Sequence, residues 1–177
     1  MAPCPGAGHH SPVSDVHVRS ATPADFEAIG RLSVAAYEAD GQLGAGTDYA
    51  RVLADVATRA AAGEVLVATG PAGEVLGSVL FVLPGSRYAE LSRPGEAEFR
   101  MLAVDPAAQG RGVGQALVEA CVARARARQA SAIVICVRDF STAAQRLYQR
   151  LGFVRRPELD WKPLETVQLL ALRLELS

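Results

Sequence analysis

The segment that most restricts the fold lies just past the middle of the chain. Gln109-Gly110-Arg111-Gly112-Val113-Gly114 separates a stretch with strand alternation, Glu96 to Val104, from a helical pattern, Gly112 to Gln129, with Val113, Leu117, Ala120 and Cys121 on its inner face. A glycine-rich turn opening a helix presents a run of backbone N–H groups unobstructed by Cβ atoms, an arrangement suited to phosphate or pyrophosphate. Two named phosphate loops fail on residue identity. G-x-G-x-x-G begun at Gly110 needs glycine where Gln115 stands, and begun at Gly112 it needs glycine where Leu117 stands; a Walker loop needs a lysine that is missing here. On spacing alone, a turn that only packs a helix close to a strand stays open beside the phosphate reading.

The flanking chain supplies the rest of an α/β domain. Val16 to Arg19 alternates as a first strand. Thr22-Pro23-Ala24-Asp25 carries the signature of a helix start, followed by an apolar stripe of Phe26, Ile29, Leu32, Ala36 and Tyr37. A glycine-rich loop, Gly41 to Thr47, leads to a second helix over Asp48 to Ala62, closed by Gly63. Strands over Glu64 to Thr69 and Glu74 to Leu83 flank a turn at Gly70-Pro71-Ala72-Gly73. After the central strand–turn–helix come a buried strand, Ser131 to Val137, and a short helix, Ser141 to Leu151, stopped by Gly152. A strand then begins at Phe153-Val154, and a last alternating strand runs from Val167 to Leu176. The order β-α-α-β-β-β-α-β-α-β-β predicts one mixed sheet covered by helices over residues 15–177, with residues 1–14 as a disordered tail.

Composition narrows the partners. The 177 residues are 50% apolar, enough for a full core, and the net charge of −1 argues against nucleic acid or an anionic membrane surface. No apolar run approaches the roughly 20 residues of a membrane-spanning helix. Cys121 and Cys136 read as small core residues of a reducing, cytoplasmic compartment. Cys4, His9 and His10 lack a fourth ligand and a scaffold, so no metal is expected.

Two blocks together carry a family likeness. Gln109-x-x-Gly112-x-Gly114, preceded by Met101-Leu102-Ala103-Val104-Asp105-Pro106, resembles the acyl-CoA motif Q/R-x-x-G-x-G/A of the GNAT acetyltransferase superfamily. Ala144-Gln145-Arg146-Leu147-Tyr148-Gln149-Arg150-Leu151-Gly152-Phe153 resembles that family's later A-x-x-(L)-Y-x-x-x-G-F segment, in the expected order. The likeness spans residues 16–176. It implies a single α/β (α+β) domain with a mostly antiparallel central sheet of about six or seven strands, splayed in the middle and flanked by about four helices.

The resemblance also implies a site. The cofactor would be acetyl-CoA or another acyl-CoA, its pantetheine arm laid along Leu102, Ala103 and Val104 as an added strand. Its pyrophosphate would rest on the amides of Gln109, Gly110, Arg111, Gly112, Val113, Gly114 and Gln115, with Gly112 and Gly114 leaving room for the phosphates. Ser141 stands where the family often has a cofactor-contacting asparagine; helix capping is its alternative role. Tyr148 would be the general acid toward the CoA sulfur, against a reading as an ordinary core tyrosine. Glu98 would be the general base, with Arg100 as the ion-pair partner of a purely structural alternative. Strand alternation would place Glu98, Arg100, Leu102 and Val104 on one face.

The acceptor site would draw on Tyr37, Glu38, Asp40, Asp48 and Tyr49, the Arg87 to Glu90 loop with Tyr88, and Arg155 to Pro163, where Asp160 beside Trp161 suits a cationic amine. The expected reaction is N-acetyl transfer by direct attack of a small-molecule amine. Acylation of a protein N-terminus or lysine, and a non-catalytic acyl-CoA-binding module, are the competing readings. The alternating last strand permits a homodimer by strand exchange.

Overall fold

The computed structural model describes residues 15–44 and 48–177. The tail and the Cys4, His9 and His10 group of the sequence reading lie outside the described residues.

Eight strands and five α-helices are present among the described residues. The strands are β1 (His17–Ser20), β2 (Glu64–Thr69), β3 (Val75–Val82), β4 (Glu96–Val104), β5 (Ala132–Arg138), β6 (Val154–Arg155), β7 (Trp161–Leu164) and β8 (Val167–Glu175). The helices are α1 (Phe26–Ala39), α2 (Tyr49–Ala54), α3 (Val56–Ala62), α4 (Val113–Ala127) and α5 (Thr142–Arg150). The sheet runs β1-β2-β3-β4-β5-β8-β6, with β7 paired to β8. Every pairing is antiparallel except β4 with β5.

The counts exceed the expected six or seven strands and four helices for two local reasons. The single helix predicted over 48–62 is broken at Asp55, whose carboxylate turns back to accept the Thr58 N–H (3.2 Å) and hydroxyl (2.6 Å), capping α3 as a new helix. β7 escapes the alternation rule because it has four residues and carries Pro163 inside, which confines it to an edge.

Each face of the sheet carries its own apolar cluster. On one side α4 and α5 cover Leu66, Val79, Phe81, Phe99, Ile133 and Ile135, with Leu117 and Cys121 fully buried. On the other, α1 to α3 cover Val65, Val67, Leu80 and Val82 through Ile29, Leu53 and Val56. The start of α1 is fixed as its sequence promised: Asp25 accepts the Thr22 N–H at 2.8 Å and pairs with Arg19 at 2.7 Å.

Two irregularities in β4 position everything that follows. Its register against β3 slips, with Arg100 opposite Leu80 but Ala103 opposite Ser78, and Met101 takes φ = 58°, a conformation rare for a side-chain-bearing residue. The bulge reverses the alternation. Phe99 packs with the α4 side and Met101 with the α1–α3 side, while Leu102 and Val104 return to the α4 side. The expectation that Glu98, Arg100, Leu102 and Val104 share a face is therefore wrong, because the inserted residue shifts the two-residue period. Second, β4 pairs with β5 only from Glu96 to Glu98. Beyond Glu98 the two strands part, and β5 continues against β8 alone.

Candidate active site

The parted strands open a cavity of about 710 Å³ lined by β4 from Phe99 to Val104, by the glycine-rich turn and by the start of α4. Its other walls are Cys136 to Arg138 of β5, α5 from Ala143 to Arg150, and Tyr37 of α1 and Asp40 just past its end with Tyr49 of α2. β4 from Phe99 to Val104 thus presents a backbone edge unpaired with β5, of the kind that accepts an added extended chain.

Of the residues expected to hold cofactor, Leu102, Ala103, Val104, Gln109, Gly110, Gly112, Val113, Gly114, Gln115, Ser141 and Tyr148 all line this one cavity. Arg111 points to solvent and is not part of the wall. The turn needs its glycines for different reasons. Gly110 (φ +80°) and Gly112 (φ +77°) are left-handed, with open space where a Cβ would stand. At Gly114 the neighbour is protein: a Cβ there would come within 3.1 Å of Leu147, so this glycine lets α5 approach α4, besides clearing the mouth of the turn. Gly112 precedes α4, and the first helical amides, from Val113 to Gln115, have no intrahelical acceptor. They face an opening suited to an anion.

Tyr148 lies beneath the opening, 5% exposed, with its ring 5.8 Å from both Phe99 and Phe153. Burial drives its hydroxyl well above the ordinary phenol range, so it holds its proton at any physiological pH. The ring is part of the core, as helical spacing suggests, and the residue also lines the cavity.

Ser141 does not cap α5 with its side chain. Its buried hydroxyl instead donates to Asp40 at 2.6 Å, tying the start of α5 to the end of α1 across the cavity.

Glu98 is not brought to the cavity. Its fully buried carboxylate accepts three successive backbone N–H groups, from Glu90 (3.0 Å), Leu91 (3.1 Å) and Ser92 (2.9 Å). The expected partner Arg100 bonds elsewhere, to the Glu90 carboxylate at 2.5 Å and to the Tyr88 carbonyl at 3.1 Å. Glu98 thus pins the loop that carries Glu90, whose carboxylate lines the cavity together with that of Asp40. Burial raises the pKa of Glu90, with the Arg100 charge opposing.

The acceptor residues divide. Tyr37 and Tyr49 line the cavity with their rings 5.8 Å apart, and burial pushes both hydroxyls upward in pKa. Tyr88 is packed into the α1–α3 core. Asp160 is held by Arg155 at 2.8 Å through both oxygens and by the Ala171 N–H, and Trp161 donates its indole N–H to the Cys136 sulfur. Neither lines the cavity. The Arg155 guanidinium depresses the Asp160 pKa, so this acid is already neutralised for structural ends. Arg59 drew no attention in the sequence; it sits in a helical pattern that gives no sign of where its side chain ends.

The site thus combines an open α/β sheet parted beside a glycine-rich helix start with a tyrosine at the base of the gap. The profile of the Acetyltransferase (GNAT) family matches residues 30–153, and the chain belongs to that family. A mycothiol acetyltransferase of Salinispora tropica is 39% identical over 95 residues, 51% of this chain but 28% of that relative. The chain thus matches under a third of the length of such curated relatives. Among solved structures, a histone acetyltransferase HPA2-related acetyltransferase of Corynebacterium glutamicum superposes with a TM-score of 0.68 at 29% identity, covering 90% of this chain and 95% of the other. A putative acetyltransferase of Salmonella typhimurium, solved with its cofactor acetyl-CoA, gives 0.61 at 26% identity over 92% and 95%. No helix among the described residues is long and apolar enough to cross a membrane.

Proposed function

We propose that the protein transfers an acetyl group from acetyl-CoA to the amine of a small molecule by direct attack. The observation that carries the reading is the continuity of one cavity from the glycine-rich turn, along the unpaired edge of β4, to Tyr148, Glu90 and the Tyr37–Tyr49 pair. The acetyl-CoA-bound relative supports the choice of donor. Bound acetyl-CoA supplies an acyl carbon activated as a thioester.

The chain supplies the rest. The amides of the 109–115 turn hold the diphosphate, and the free backbone groups of Leu102 and Val104 hold the amide arm. Glu90, raised in pKa and facing the cavity, takes the proton that the attacking ammonium must lose, and Arg100 keeps it in place. Tyr148 gives its hydroxyl proton to the departing thiolate, whose C–S bond breaks as the C–N bond forms. Glu98 acts on this chemistry through the loop it fixes.

The test is release of free CoA thiol from acetyl-CoA in the presence of simple amines, amino acids, peptides and the acceptor of the mycothiol acetyltransferases. Saturable turnover with a small amine supports the reading. Tight acetyl-CoA binding with no acceptor consumed would point to a non-catalytic module instead.

A further inference from the structure

The most anomalous charge in the protein is Arg59 on α3. It is 2% exposed, and no carboxylate among the described residues lies within ion-pair distance of it. Its Nε and Nη2 have no hydrogen-bond partner, and Nη1 donates to the Met101 sulfur at 3.3 Å. A thioether is a weak acceptor, so the whole guanidinium is nearly unsatisfied. Removing a charge from water without a partner is among the most unfavourable arrangements a fold can hold.

Its surroundings give the anomaly a direction. Met101, against which Arg59 rests, is the bulged residue of β4 and part of the cavity wall. The hydroxyls of Tyr37 and Tyr49 feel the charges of both Arg59 and Arg100, and both tyrosines line the cavity. Arg100 is committed to Glu90 and to the Tyr88 carbonyl, whereas Arg59, behind Met101, has no carboxylate partner among the described residues. Two cavity-lining phenols near two guanidiniums, with the Met101 thioether between the cavity and the unpaired one, suit a planar two-oxygen anion.

We propose, resting on the acetyltransferase reading above, that the acceptor carries a carboxylate besides its amine and that Arg59, with Tyr37 and Tyr49, binds that carboxylate. The Met101 thioether is the group it displaces. The amine is then held toward Glu90 and the thioester, so the acceptor class is an amino acid or a similar compound bearing both groups.

The test pairs amino acids with their carboxamides as acceptors for acetyl-CoA, in the wild type and in Arg59→Met. The wild type should favour the carboxylate partner by roughly 10- to 100-fold in kcat/KM, the range expected of a charge-assisted bond. Arg59→Met should abolish that preference through KM, leaving the carboxamide rates and the acetyl-CoA Kd within about threefold. Melting of the ligand-free protein is a second readout that needs no turnover. Replacing an unpaired buried cation by an apolar chain of similar length should hold or raise Tm. A fall in Tm, an Arg59→Met defect equal for both partners of a pair, or a wild type indifferent to the carboxylate overturns the proposal. So does Arg59-dependent use of succinyl-CoA with neutral amines, which would assign the carboxylate to the acyl donor. Failure of the wild type to turn over any amine would instead sink the transferase reading, and the melting comparison would still decide whether Arg59 awaits an anion.

Discussion

Exchanging Glu98 for glutamine separates an anchor from a base. The carboxylate accepts three consecutive amides at 2.9–3.1 Å, and no part of it is exposed to water. Hydrogen bonds to a charged group contribute about 1.5–3 kcal/mol each, neutral ones about half of that. Glutamine can keep its oxygen before all three amides, but as a neutral acceptor, and its NH2 then meets the Glu90 N–H, so a loss of about 1 kcal/mol per bond predicts destabilisation of about 3 kcal/mol. For a chain of this size that corresponds to a fall in Tm of roughly 6–12 °C. Urea unfolding measures the loss, and hydrogen exchange at the amides of Glu90, Leu91 and Ser92 should quicken before the rest of the sheet. The rate would fall because Glu90 is no longer held, but the pH at which activity is lost on acidification should stay where it was. A Glu98→Gln protein of wild-type stability that has lost the acid limb of its pH–rate profile would refute the anchor and restore the base.

Three further outcomes follow from other parts of the molecule. Tyr148→Phe keeps the ring contacts with Phe99 and Phe153 but removes the proton donor, so kcat should fall about 10²- to 10⁴-fold with acetyl-CoA affinity nearly unchanged by calorimetry; because burial raises the hydroxyl's pKa, the wild type should show no alkaline limb from this residue below pH ~10. Gly112→Ala places a side chain at φ +77°, which costs about 1–2 kcal/mol in unfolding and should weaken acetyl-CoA binding measurably, since the amides that follow are displaced. Asp25 is lowered from 3.8 to about 2 by Arg19 first and by the Thr22 N–H, so its contribution is full above pH ~4 and disappears as pH falls toward 2; Asp25→Asn should lose about 1 kcal/mol at pH 7, screened by the exposure of Arg19, and match the wild type near pH 2 in a urea titration.

Much of the molecule was legible in its residues because local chemistry and global fold agree there. The turn at 109–114 declares itself through glycines whose positive φ is a backbone necessity, and β3, β4, α4, β5 and α5 fall within a residue or two of their predicted limits. What stayed hidden depends on where a side chain goes after leaving its backbone. Glu98 and Asp160 are acids on or beside strands, and nothing in one dimension says that one meets three amides and the other an arginine. Glu90 stands in a loop whose path is set by Glu98, a contact eight residues away in sequence, so its place in the cavity is a tertiary fact. The break at Asp55 could have been read: an aspartate three residues before a threonine, within a long helical pattern, is a capping pair.

The bulge at Met101 joins these observations. Without the extra residue, alternation along β4 would carry Leu102 and Val104 to the same side as Glu98 and Arg100, as the simple period demands. Inserting it puts Leu102 and Val104 on the α4 side, beside the glycine-rich turn, and sends the Met101 side chain to the α1–α3 side, where it meets Arg59. It falls in the part of β4 that has already left β5, so the irregularity borders the cavity while it interrupts the pairing with β3. In the proposed function, one strand thereby serves two halves of a reaction site: an unpaired edge for an extended donor, and a wall carrying Arg100 for an acceptor. A left-handed residue without glycine is strained, and such strain survives where the surroundings hold it in place; here the α1–α3 cluster packs against the strained residue itself.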